Sequence, residues 1–185
     1  MNEERKVEWL HEGELMAQQR FGVAGFWQEH NLQAMMRQSI PANMVRFFEY
    51  LPFFFIATAN NQGECDCSFR GREVDSAGQA YPLVKVIDSQ TMIFPDYRGN
   101  KLYNSLGNMI VNGHIGMLFI DFESRTRVRV NGRAEIVDSV AAYDDIFPLA
   151  HRYVRVHVEQ VYGNCKARIP KMKLQPSSDS ELHDE

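Results

Sequence analysis

At 185 residues, with 44% hydrophobic side chains and a formal charge of -4, the chain is long enough for one buried core and too acidic for a general nucleic-acid binder. No uninterrupted apolar run approaches the roughly 20 residues of a membrane span, and the opening residues Met1 to Lys6 are charged where a secretion signal would be apolar. These features predict a cytoplasmic protein with a single domain over residues 1–174. The polar, Pro-, Ser- and acid-bearing residues 175–185 are expected to be a disordered tail.

Residues 7–21 suggest a first helix with a broken apolar stripe of Trp9 or Leu10, Met16 or Ala17, and Phe21, ended by Gly22 and Gly25. A second helix is predicted over 43–50, started by Pro41 and closed before Pro52. Residues 53–59 then form an apolar strand, Asn60 to Gly63 a hairpin turn, and 64–69 the partner strand. Phe53, Phe54 and Phe55 read as core packing. The polar residues 72–81 make a loop, and 83–88 a further strand after Pro82.

The segment from Phe94 to Gly113 carries the strongest chemical signal. A strand leads through a polar turn ending in Asn100 and Lys101 into a helix, with Leu102, Leu106, Met109 and Ile110 at one-face spacing and Gly113 as the stop. The opening turn of a helix presents unpartnered N–H groups and the positive end of the macrodipole, so an anion is stabilised there, and Lys101 adds a full charge. The same residues also fit a plain reading, with Asn100 as a cap and Lys101 as a solvated first-turn side chain.

Residues 114–122 form an apolar strand, 121–126 a hairpin, and 127–136 a strand of period two. Val128, Val130, Ala134 and Ile136 face one way; Arg127, Arg129, Asn131, Arg133 and Glu135 face the other. Residues 139–150 look helical, and 152–161 alternate again, with Val154, Val156 and Val158 on one side.

Three cysteines fit a reducing compartment better than a disulfide framework. Cys65 and Cys67 are too close for an ordinary zinc pair and share one strand face, while Cys165 reads as a buried structural thiol. The six histidines, at 11, 30, 114, 151, 157 and 183, contain no i,i+4 pair and no His-x-His, so no metal site is read from them, and His11 reads as a cap or surface residue. There is no nucleophile elbow and no Walker-type loop.

The order of strand, polar turn with Pro95 and Asp96, basic helix start at Asn100 and Lys101, apolar strand with Met117, Leu118 and Phe119, and strand Arg127 to Gly132 resembles the FMN-binding split barrels of the pyridoxamine 5'-phosphate oxidase-like family. The likeness covers roughly residues 45–137. His11 to Glu14 and Asn164-Cys165 are similar to short motifs of a flavin-nucleotide-binding branch. The resemblance implies a mainly β fold with flanking helices, a six-stranded antiparallel split β-barrel, and a homodimer with FMN at the subunit interface. It implies flavin contacts from Ser68, Arg70, Lys85, Pro95, Asp96, Asn100, Lys101, Arg127 and Arg129, with Arg127 at the edge of the flavin ring. Asn100 stands where the family usually has arginine, which leaves more of the phosphate charge to Lys101 and the helix dipole.

The family's substrate-holding C-terminal Arg and His residues have no counterpart, so vitamin B6 oxidation is not implied. The expected activity is FMN-dependent oxidoreduction of an unidentified small molecule, with NADH or NADPH as a candidate reductant and no side chain required as acid or base. Two alternatives remain: flavin storage or sensing without turnover, and a relative that binds haem or F420, for which His114, His151 and His157 are the candidate axial ligands.

Overall fold

The computed structural model describes residues 9–138 and 141–175. A first helix, α1 (Glu12–Arg20), is followed by two single-turn helices, α2 (Phe26–Glu29) and α3 (Leu32–Met35), and a two-residue strand, β1 (Met36–Arg37). His11 caps α1: its Nδ1 accepts from the Gly13 N–H at 3.1 Å while the Glu14 carboxylate accepts from the His11 N–H at 2.9 Å. The helix runs from 12 instead of 7 and buries no residue, so the expected apolar stripe does not pack.

Pro41 opens a 3-10 turn (Ala42–Met44) that runs into α4 (Val45–Tyr50), as the proline pair 41 and 52 predicts. The sheet strands are β2 (Phe53–Ala59), β3 (Cys65–Gly71), β4 (Lys85–Asp88), β5 (Thr91–Asp96), β6 (His114–Asp121), β7 (Thr126–Val137) and β8 (Arg152–Asn164), with α5 (Asn104–Val111) between β5 and β6 and a short α6 (Ala141–Asp144) before β8. The helix expected over 139–150 is thus confined to α6, with residues 139 and 140 outside the described residues. The tail expected to be disordered likewise falls outside them from residue 176.

The strands form one antiparallel sheet in the order β3-β2-β6-β7-β8-β5-β4, with β1 added to β8. There are eight strands where six were expected; one of the eight is the two-residue β1, too short to leave a period in the sequence. β2 and β5 stand four places apart in this order, about 19 Å if the sheet were flat. Yet the Phe54 and Phe94 rings, one on each strand, meet at 5.4 Å, so the sheet curls on itself into a barrel. Phe119 on β6 fills the middle, stacked on Phe54 at 4.9 Å and edge-on to Phe48 of α4 at 4.7 Å. The inward valines of β7 and β8 expected from the alternation, Val128, Val130, Val154, Val156 and Val158, all join this core, while Ile136 packs against its margin.

One irregularity re-phases the barrel. Between Asn131 and Gly132 the pairing of β7 with β8 slips by a residue, so the inward set on β8 passes from Val158 to Val161. The bulge brings the two backbones so close that a Cβ on Gly132 would overlap the His157 carbonyl oxygen. Its effect is to turn Gln160, Tyr162 and Asn164 to the outer face, opposite Asn131, Arg129 and Arg127.

Candidate functional site

The barrel is not closed by a ladder. β3 pairs only with β2, and β4 pairs β5 only at Thr91 to Ile93, which leaves Phe94 to Asp96 facing β3 across an open seam. One ion pair crosses it: Arg70 Nη1 of β3 donates to Asp96 Oδ1 of β5 at 3.3 Å. Asp96 is only 7% exposed, and its other oxygen lies 3.9 Å from Nε of Arg152, its cross-strand neighbour on β8. A carboxylate this buried is tolerated because it is paired.

The chain leaving β5 folds over the end of the seam and returns as α5, closing a cavity of about 320 Å³ lined by Ser68, Arg70, Asp96, Asn100, Lys101 and Ser105 among others. Helix α5 is pinned to the barrel at two points. Asp66 Oδ2 accepts from the Ser68 hydroxyl at 2.8 Å and from the Ser105 hydroxyl at 3.0 Å, and Asn108 Nδ2 donates to the buried Thr58 Oγ1 at 3.1 Å. Asn104, Ser105 and Leu106, the first turn of α5, therefore line the cavity with backbone N–H groups that have no intrahelical acceptor.

The helix starts later than the sequence suggests. Its cap is Tyr103, in the left-handed region at φ 56°, and Lys101 is also left-handed at φ 66°. Asn100 caps the turn before the helix, its Oδ1 accepting from the Leu102 N–H at 3.0 Å. Leu102 therefore lies off the helical face and is 69% exposed. Ile110, one residue round from the buried Met109, is 74% exposed. Only Leu106 and Met109 of the expected apolar set are buried.

Two polar atoms on residues lining the cavity are buried without a hydrogen-bond partner: Arg70 Nε and the Tyr97 hydroxyl. Burial, reinforced by the Glu73 carboxylate, holds the Tyr97 phenol well above its ordinary range, so it remains a neutral hydroxyl at physiological pH. With Arg70, Lys101 and the first turn of α5 among its lining, the cavity suits a phosphate group.

Five of the nine expected residues thus meet at one cavity: Ser68, Arg70, Asp96, Asn100 and Lys101. Pro95 and Asp96 are corrected from turn to strand. Both are buried in β5, with Pro95 paired to Tyr153 where β5 has outrun β4 and a missing N–H is tolerated. Lys85 does not reach the cavity, because its Nζ is held 3.0 Å from Oε1 of the buried Glu49, which also accepts from the Val86 N–H. Arg127 and Arg129 lie on the outer face of β7, three strand spacings from β3, about 14 Å. Arg129 sits over the Tyr162 ring at 5.7 Å, and Arg127 Nε and Asn164 Oδ1, on paired residues, are both buried without partners.

The sequence reading missed Arg152, Asp66 and Ser105. Arg152 becomes visible only once the β5–β8 register is known. Ser105, a small hydroxyl residue one place into a helix beside a strand carrying Asp66-Cys-Ser68, left a weaker trace. Cys165 is exposed, where a buried thiol was expected, and Cys65 and Cys67 are exposed on the outer face of β3. Among the described residues no three His, Cys, Asp or Glu side chains are grouped to hold a metal ion. No described helix is long and apolar enough to cross a membrane.

The family model for pyridoxamine 5'-phosphate oxidase matches residues 40–176. Similar solved structures include HupZ of Group A Streptococcus, at 19% identity over 67% of this chain and 93% of that one with a TM-score of 0.50. An FMN-binding protein from Syntrophomonas wolfei is 13% identical over 81% of this chain and 97% of that one, with a TM-score of 0.49. HutZ, the haem storage protein of Vibrio cholerae, is 11% identical over 65% and 91%, with a TM-score of 0.42. None of the curated proteins matches the chain.

Proposed function

The chain belongs to the pyridoxamine 5'-phosphate oxidase family, and from that premise we propose that it is an FMN-binding flavoprotein that acts as an oxidoreductase on a small molecule. The observation that carries the reading is the seam cavity, whose lining brings Arg70, with its buried and unpartnered Nε, together with Lys101 and the first turn of α5. In this reading the ribityl phosphate sits against the first turn of α5. Arg70 and Lys101 supply its counter-charge, Asn100 shapes the turn, and Ser68 works indirectly by fixing Ser105.

The flavin, when bound, supplies the hydride or electron transfer. The protein binds it, orients it and sets its charge environment. Arg127 and Arg129 lie too far along the sheet to meet the phosphate cavity of their own chain, and a homodimer would supply them from the second copy. Support for a covered outer face comes from the row Phe69, Phe55, Leu118, Arg129 and Tyr162, in which Phe69 is 60% exposed. Arg127 would then meet the pyrimidine edge of the ring, where negative charge develops on reduction.

The test is the ligand carried by purified protein. The expected result is yellow protein that releases FMN on denaturation. Lys101→Ala would weaken binding, and the Lys101→Ala/Arg127→Ala pair would abolish the flavin absorbance; full flavin retention in the double variant would reject the assignment. Anaerobic addition of NADH or NADPH separates turnover, in which the flavin bleaches, from storage or sensing, in which it does not. A Soret band would instead mark haem; His114, His151 and His157 do not line the seam cavity.

A further inference from the structure

Lys101 and Tyr103 both adopt left-handed backbone within three residues, at φ 66° and φ 56°. For bulky L-residues this conformation is unfavourable and persists only where surrounding contacts over-determine it. At Tyr103 the guanidinium of Arg152 lies 5.4 Å from the ring centroid. Arg152 is in turn ion-paired with Asp96, at 3.9 Å, and Asp96 also receives Arg70 from across the seam, at 3.3 Å. A continuous line therefore runs from β3 through β5 and β8 to the cap of α5, built from residues some 80 positions apart: Arg70, Asp96, Arg152, Tyr103.

We propose that Arg152 is a positioning residue for the seam cavity: held by Asp96, its guanidinium clamps the Tyr103 ring and keeps the opening turn of α5 aimed at the bound anion. This inference rests on the reading that the cavity takes a phosphate, and it adds a specific physical demand. The clamp needs a planar cation over a ring, so a charge alone does not replace it. The Asp96 carboxylate takes part as the counter-ion shared by Arg70 and Arg152, which makes those two guanidinium groups close neighbours without leaving either buried and unpaired.

The inference is tested with Arg152→Lys, Arg152→Met, Tyr103→Asn and Tyr103→Phe in the full chain, by two readouts. The first is limited trypsin digestion without ligand, scored by mass spectrometry at Arg98 and Lys101, both exposed in the clamped loop. The second is FMN affinity by fluorescence titration of flavin-stripped protein. Arg152→Lys, Arg152→Met and Tyr103→Asn are expected to speed cleavage at these two sites and to weaken FMN binding about fivefold or more, the worth of a partly exposed cation–aromatic contact.

Tyr103→Phe keeps the ring and should behave as wild type, and Arg152→Lys should leave the melting temperature unchanged, which a purely structural role would not. Asparagine tolerates left-handed backbone, so loss in Tyr103→Asn points to the ring and not to backbone strain. Wild-type cleavage and wild-type affinity in Arg152→Lys and Arg152→Met would overturn the clamp. If wild-type protein binds no FMN while the variants are still cleaved faster, the clamp stands and the flavin reading falls.

Discussion

The closed wall of the barrel and its open seam are built on opposite terms. Along β6, β7 and β8 the backbone is paired in register over long stretches and the inner face is a continuous set of apolar side chains. At the seam between β3 and β5 no ladder exists. Closure depends on one buried carboxylate shared by two arginines, the neighbouring loop holds two left-handed residues, and Arg70 and Tyr97 each carry an orphaned polar atom. The inner side of the wall is where side chains are chosen for packing; unsatisfied polar atoms lie at the seam, on Arg70 and Tyr97, and on the wall's outer face, on Arg127 and Asn164.

The comparison predicts that wall substitutions act on stability and seam substitutions on ligand. The largest effect is expected for Phe119→Ala, which empties the ring stack at the barrel centre and should cost about 3–5 kcal/mol in urea unfolding. Gly132→Ala comes next: the added methyl meets the His157 carbonyl, so the bulge must open, at about 1–3 kcal/mol by the same measurement.

Tyr153 offers a pH-dependent test of the wall. Burial, with the Asp144 carboxylate accepting its hydroxyl at 2.6 Å, pushes its pKa up to about 12. The folded-state value is raised, so its contribution is fully present below the unfolded value near 10 and is lost as pH rises toward 12; Tyr153→Phe should flatten stability across that window at a neutral-pH cost of about 1 kcal/mol. The smallest effect is Leu102→Ser, within about 0.5 kcal/mol, because Leu102 sits on the exposed loop before α5. A large loss there would mean that the helix begins earlier, as its apolar spacing alone suggests.

The wall was also the more legible region. Val128 and Val130, then Val154, Val156 and Val158, follow a period of two that only a half-buried strand explains, and Pro41 and Pro52 bracketed α4 correctly. What escaped the sequence depended on register or on backbone dihedrals. Nothing in Asn100-Lys-Leu-Tyr103 announces that the tyrosine is left-handed, so apolar spacing alone starts the helix early and puts Leu102 on the wrong surface. Asp96 looked like a turn residue because acids are rare inside strands; its partners, Arg70 and Arg152, are distant in sequence and meet it only when the sheet has curled. Lys85 shows the converse, a residue assigned by likeness whose charge is already taken by Glu49.

The side-chain alternation of β3 leaves Ser68 and Arg70 at the seam and sends Cys65 and Cys67 to the opposite side, as neighbours of Ala59 and Ala57 on the outer surface. These two thiols are native labelling handles on the outer face that the proposed homodimer would cover. Their alkylation rates with iodoacetamide, followed against protein concentration and flavin loading, would report when that surface is masked without any engineered probe.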